Sequence, residues 1–192
     1  MSFVLKSNYS GDIHNSQLFH ENILTKKIIL PIKNININIK RILEKYLNKN
    51  YTGKCYEEGY IEKDSIKVLS YTNGLCNSDK LEFNVVFTCN ICMIVDSMVL
   101  ECEVENKNLS GIKCNVIFKD EGLELNDEGE EVEKKSEKKN SVIVFCSRDH
   151  HYGDENFYNL ELKDKILVKV IGSKYELFDE YICVIGTFIK KT

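Results

Sequence analysis

The sequence predicts an α+β chain in two units: a strand–helix–strand first half and an all-β second half that closes as a small barrel. Three observations predict it. Residues 35–47 carry one apolar stripe at helical spacing, five short strand-like segments follow residue 93, and the one proline ends the first apolar run. The units meet near Met93, so the first spans residues 1–93 and the second residues 94–192.

In chain order, Lys26–Leu30 (KKIIL) reads as a strand that Pro31 terminates, because proline restricts the preceding residue to extended backbone. Next, Ile35, Ile39, Ile42, Leu43, Tyr46 and Leu47 recur three and four residues apart, which aligns them on one helical face, while Lys40, Arg41, Glu44 and Lys45 face water. Gly53 closes this unit. Extended segments follow from Lys54 to Leu69 around Gly59, and Ser65–Tyr71 alternates as a half-buried strand does. Asn73-Gly74 marks a turn. The run KLEFNVVFTCNICMIV, from Lys80, is apolar enough for a strand buried on both faces that continues toward the second unit. Beyond it, strands are expected at Met98–Val104, Gly111–Phe118, Ser141–Cys146, Ile166–Ile171 and Tyr181–Lys190. Five short strands in about a hundred residues suit a barrel of the OB type.

With 43% hydrophobic and 29% charged residues, the chain has the composition of an ordinary globular protein. The start, MSFVLKSNYSGDIHNSQ, lacks the basic patch and apolar run of a secretory signal, and no apolar run approaches the roughly 20 residues that span a bilayer. The expectation is an intracellular protein without membrane contact, whose eight cysteines are mostly free thiols rather than a disulfide framework. The formal charge of -4 has one source: residues 119–140 carry nine acidic and five basic side chains, and the remainder is balanced. Such dense charge with so few apolar residues cannot offset ordering entropy, so a solvated, disordered loop is expected there. No long Lys/Arg tract is present, and any nucleic-acid affinity should be modest.

Few motifs point to chemistry. Cys89 and Cys92 form one CxxC pair, but it lies inside a strand-like run, and Cys102 and Cys114 supply no second knuckle to complete a zinc site. Asp149-His150-His151 is the densest polar cluster. It serves either as a metal or acid–base site or as a polar loop at the barrel rim, and the remaining histidines, His14 and His20, are remote in sequence. No phosphate-binding glycine loop, HExxH or acidic metal triplet occurs. No catalytic residue, metal ligand or cofactor is therefore assigned. Lys113, Arg148, His150, His151, Tyr152, Lys169, Lys174 and Tyr175 are the candidates for RNA contact, with Phe118 and Phe145 either stacking beside them or buried in the core.

At GKCYEEGYI, residues 53–61, the chain resembles the family of RNA polymerase subunit seven and its archaeal counterpart. The resemblance extends over LEFNVVF at 81–87, SGIKCNVI at 110–117 and VKVIGSKYELFDEYICVIG at 168–186, and covers residues 23–188. It implies an RNP-like N-terminal tip domain followed by a C-terminal OB barrel. It also implies a stalk protein that binds a subunit-four-like partner, docks on the polymerase core and lies near nascent RNA. By position, Gly53, Gly59, Tyr60, Ile61, Glu62, Lys63, Asp64 and Ser65 belong to the docking tip.

The chain departs from the cellular pattern at Ser97 and Cys102, where the family has glycines, and at Ile112, where an aromatic residue is common. With its acidic segment and its many Asn, Lys and Ile residues, it is more similar to the form found in large nucleocytoplasmic DNA viruses. The location implied is virion and host cytoplasm if viral, nucleus if cellular. Two other readings compete: a freestanding OB-fold RNA-binding protein, and an enzyme built on the cysteines and His150-His151.

Overall fold

The computed structural model describes residues 18–35, 37–118, 124–125, 131–132 and 141–192. It is mostly β. The first half runs β1 (Phe19–Pro31), α1 (Ile39–Tyr51), β2 (Lys54–Tyr56), β3 (Gly59–Ile61), β4 (Lys67–Tyr71), β5 (Leu75–Asn77) and β6 (Lys80–Cys92). Strand β6 is the spine of an antiparallel sheet: β1 lies along one side of it, while β3, β4 and β5 pair along the other. The first strand begins at Phe19 rather than Lys26, because the polar residues before Lys26 are held by the ladder with β6 and not by their own hydrophobicity.

Helix α1 starts at Ile39, one residue after Asn38, and buries Leu43 and Leu47 in a single cluster with Ile28, Phe83, Val85 and Phe87 of the sheet. The stripe predicted from Ile35 holds from Ile39 onward, and Ile35 packs against the same cluster from outside the helix. Along β6, Phe83, Val85, Phe87, Cys89 and Ile91 are buried while the residues between them are partly or fully exposed. The expectation of a strand buried on both faces is thereby corrected. Only one face of the sheet is covered.

The second half runs β7 (Val99–Lys107), β8 (Gly111–Val116), β9 (Glu124–Leu125), β10 (Glu131–Val132), β11 (Val142–Ser147), α2 (Glu155–Tyr158), β12 (Lys165–Lys174) and β13 (Ile182–Lys191). Strands β9 and β10 pair with each other, and the rest of the segment expected to be a solvated loop lies outside the described residues. The other five strands close into a barrel in the order β11-β13-β12-β7-β8, with β11 and β13 parallel and the remaining pairs antiparallel. This architecture is compatible with an OB fold. Period-two alternation builds its interior: Ile112, Cys114 and Val116 of β8 and Val142, Val144 and Cys146 of β11 are buried, and the residues between them are not.

One end of the barrel is closed by a 3-10 turn, Arg148–His151, and by α2, whose N-cap Asp154 accepts the Asn156 and Phe157 amides. His151 is 5% exposed and stacks on Phe157 at 4.1 Å between ring centroids. Its Nε2 accepts the Phe188 backbone N–H at 2.7 Å, which leaves the ring proton on Nδ1, donated to the Ser147 carbonyl at 2.7 Å. Replacing His151 by leucine strands both backbone groups in an apolar site, so a loss of about 2–4 kcal/mol is expected from the denaturation midpoint. An unchanged midpoint would remove His151 from the barrel's support.

The two halves share a seam. Cys55 donates its amide to the Asp179 carbonyl and accepts the Phe178 amide, each at 2.8 Å. The Tyr56 ring meets the Phe178 ring edge-on at 5.6 Å, and Leu18, Cys55, Tyr60 and Cys92 are buried in the same cluster as the barrel core. The first half is therefore anchored to the β12–β13 loop by main-chain bonds as well as by apolar contact.

Candidate functional site

The expected docking segment folds as the β2–β3 hairpin and the loop after it. Gly53 follows α1 with φ +74° and donates its amide to the Ile61 carbonyl at 2.8 Å. Gly59 adopts φ +129°, and a Cβ there would lie 2.7 Å from the Cys92 carbonyl oxygen and 2.8 Å from Ile91 Cγ2. Glycine is required because β3 is pressed against the end of β6. Gly59, Tyr60 and Ile61 are all buried, and burial foremost pushes the Tyr60 hydroxyl up to about 12. Tyr60 joins the barrel-side core at the seam and Ile61 the core of the sheet, so these residues hold the hairpin in place from inside.

The next four residues reach outward. The Glu62 amide donates to the Asn90 carbonyl at 2.9 Å, and its carboxylate accepts from Asn90 Nδ2 at 2.7 Å. Ser65 donates its hydroxyl to the Glu62 carbonyl at 2.8 Å and accepts the Asn90 amide at 3.2 Å. Asp64 turns the chain at φ +56°. This lattice fixes Glu62 and Ser65 in part-buried positions and leaves the Lys63 and Asp64 side chains exposed on a braced loop.

The RNA candidates do not converge on one face. Lys113 and Phe145 stand opposite each other across β8 and β11 on the outside of the barrel, with the Lys113 ammonium paired to Glu105 at 2.7 Å. Arg148, His150 and Tyr152 lie at the capped end, where the Arg148 guanidinium sits 5.1 Å from the centroid of the Tyr158 ring. Lys169 is on β12 opposite Val99 of β7, away from that group. Lys174 and Tyr175 are at the other end, by the seam, and the Tyr175 hydroxyl donates to the Glu57 carbonyl at 3.4 Å. His151 is withdrawn from the set because both ring nitrogens are engaged inside the barrel end. Phe118 is partly buried, tilted against Phe19 at 5.5 Å.

Six of the eight cysteines are buried, and Cys76 and Cys183 are exposed. Cys89 belongs to the core of the sheet and Cys92 to the barrel-side core, so the CxxC pair points its thiols into two separate clusters. Burial pushes Cys89 up to about 11 and Cys92 up to about 12, which keeps both protonated at neutral pH. Among the described residues no group of three or more His, Cys, Asp and Glu side chains is arranged to hold a metal ion.

Sequence reasoning missed a cleft of about 360 Å³ at the capped end, lined by Lys107, Leu109, Ile112, Arg148, Phe157 and Tyr158 among others. The Lys107 ammonium is committed there, donating to the Tyr158 and Leu160 carbonyls at 2.6 and 3.0 Å. Only the exposed Leu109, in the turn before Gly111, hints at it in the sequence. No described helix is long and apolar enough to cross a membrane. No protein-family model matches the chain, and no match is found among curated proteins.

Proposed function

We propose that the chain is a non-catalytic stalk subunit of a multisubunit DNA-dependent RNA polymerase. It is built as an RNP-like tip domain (residues 1–93) joined to an OB-fold domain (residues 94–192), and it is similar to RNA polymerase II subunit seven and its archaeal counterpart. One observation carries the reading: GKCYEEGYI, the segment by which the chain resembles that family, is also the hairpin that bonds the open sheet to the barrel through Cys55. A stalk must hold a docking loop at a fixed distance from the barrel beside the RNA exit path. Main-chain bonds between the halves supply that rigidity, whereas a free linker would leave relative motion as the default.

In this reading Lys63 and Asp64 meet the polymerase core, a subunit-four-like chain is the stalk partner, and nascent RNA passes the barrel. The work takes place in virion and host cytoplasm if the protein is viral, in the nucleus if it is cellular. Converting Lys63 to glutamate is expected to lower recovery of the large polymerase subunits by about tenfold while the circular-dichroism spectrum stays native. Undiminished recovery would remove this loop from the interface. The second reading, a freestanding RNA binder, is favoured by the Lys113–Phe145 pair alone. It requires tight, strongly salt-dependent binding of single-stranded RNA by the isolated chain.

A further inference from the structure

We infer that the free edge of β1 accepts an extended segment of a partner polypeptide as one more strand of the sheet. The ladder fixes which backbone groups are available. Just beyond the two ends of β1, the Ile32 amide donates to the Asp79 carbonyl at 2.9 Å, and the Leu18 carbonyl accepts the Met93 amide at 3.0 Å. In an antiparallel pair, residues bonded to the partner alternate with residues whose N–H and C=O point the other way. The even-numbered residues between Leu18 and Ile32 therefore face β6, and Glu21, Ile23, Thr25, Lys27 and Ile29 turn their main-chain groups to the open side. Strand β6 agrees, since Asn84 and Asn90, opposite Lys27 and Glu21, give their carbonyls to Thr72 and Glu62 on its far side.

Among the described residues β1 pairs with β6 alone. The side chains of the same five residues are exposed on the uncovered face of the sheet, Ile23 at 65% and Ile29 at 49%. Natural sheets protect their edges with short strands, bulges, prolines, charged side chains or a covering helix or loop. Strand β1 is 13 residues long, runs in register without a bulge, and places its proline last. Two charged side chains lie on the edge: the Lys27 ammonium is held by Glu82 at 2.7 Å, and Glu21 restricts pairing there to a segment with a basic residue opposite it.

The occupant's chemistry follows from the cross-strand neighbours, which touch in directly opposed pairs. It is an extended peptide segment with apolar side chains against Ile23 and Ile29 and a basic one against Glu21, for which no described residue supplies an ion pair. Main-chain bonds give such strand addition its affinity, and the alternate side chains set its specificity. The inference is independent of the stalk reading, since it needs only the open ladder.

The test is residue-resolved amide exchange on the isolated full chain, alone and with a nine-residue peptide carrying a lysine to face Glu21 and valines to face Ile23 and Ile29. Alone, the Ile23, Thr25, Lys27 and Ile29 amides are expected to exchange about 100-fold faster than those of Leu24, Lys26 and Ile28. At about 1 mM peptide the first four should slow at least about tenfold, and a scrambled peptide should leave them fast. Glu21→Lys should shift preference by about two- to fivefold toward a peptide with glutamate in place of its lysine. Three results would overturn the inference. They are slow exchange of these amides in the dilute chain, a concentration-dependent dimer that protects them and so assigns the edge to a second copy, or no effect of the peptide.

Discussion

A Gly59→Val chain is expected to lose about 3–5 kcal/mol of stability, a large share of the roughly 5–15 kcal/mol a domain possesses. Two effects add. The φ of +129° lies where a β-branched residue is strained, at a cost of about 1–3 kcal/mol. The new Cβ would also meet the Cys92 carbonyl, 2.7 Å away. That carbonyl cannot yield easily, because Cys92 lies opposite Tyr60 in the β3–β6 ladder and the next residue, Met93, donates its amide to the Leu18 carbonyl at 3.0 Å. The measurement is the guanidinium midpoint followed by far-ultraviolet circular dichroism, with Gly59→Ala falling between the two. A valine variant of native stability that has lost only polymerase binding would return Gly59 to the docking surface and contradict the buried seam.

Alkaline solution is expected to unfold the chain between about pH 9 and 11, through its buried thiols. Burial pushes Cys55 and Cys92 up to about 12 and Cys89 up to about 11. Burial also raises Cys102, and Cys114 is raised by its hydrogen bond with Cys146 and then by burial. In the unfolded chain the same groups lose their protons near pH 9, so above that pH the unfolded state binds fewer protons than the native one. The stabilisation is thus fully present below about pH 9 and is lost as pH rises toward the folded values, at about 1.4 kcal/mol per thiol for each pH unit. Five such groups outweigh a typical net stability within two units. Replacing Cys102 and Cys114 by valine should flatten the dependence, and at pH 8 the native chain should be alkylated first at the exposed Cys76 and Cys183. A midpoint constant to pH 11 would sink this account of the thiols.

The barrel strands were legible because their signal is local. Alternation in GIKCNVIF and SVIVFC gives each strand and its inward face directly, and the apolar stripe of α1 is equally explicit from Ile39 to Leu47. Strand β1 was legible only in its apolar end, since the polar residues before Lys26 become a strand only through their pairing with β6. The apolar density of β6 concealed that one face of the sheet is open. The site was harder to read, because Gly59 is pressed on the end of β6, Tyr60 enters the barrel-side core and Ile61 the sheet core, contacts between segments remote in the chain. His151 misled for a related reason: its partners, Phe157 and Phe188, meet it only once the barrel closes. Lys63 and Asp64 are exposed in the loop that follows the hairpin.

The central claim is attachment to a transcription enzyme, and affinity purification of the tagged full chain from its own cells, with mass-spectrometric identification of what accompanies it, tests that most directly. The two large catalytic polymerase subunits and a small stalk partner should be recovered in near-equal amounts. A folded chain recovered without either large subunit would contradict the account.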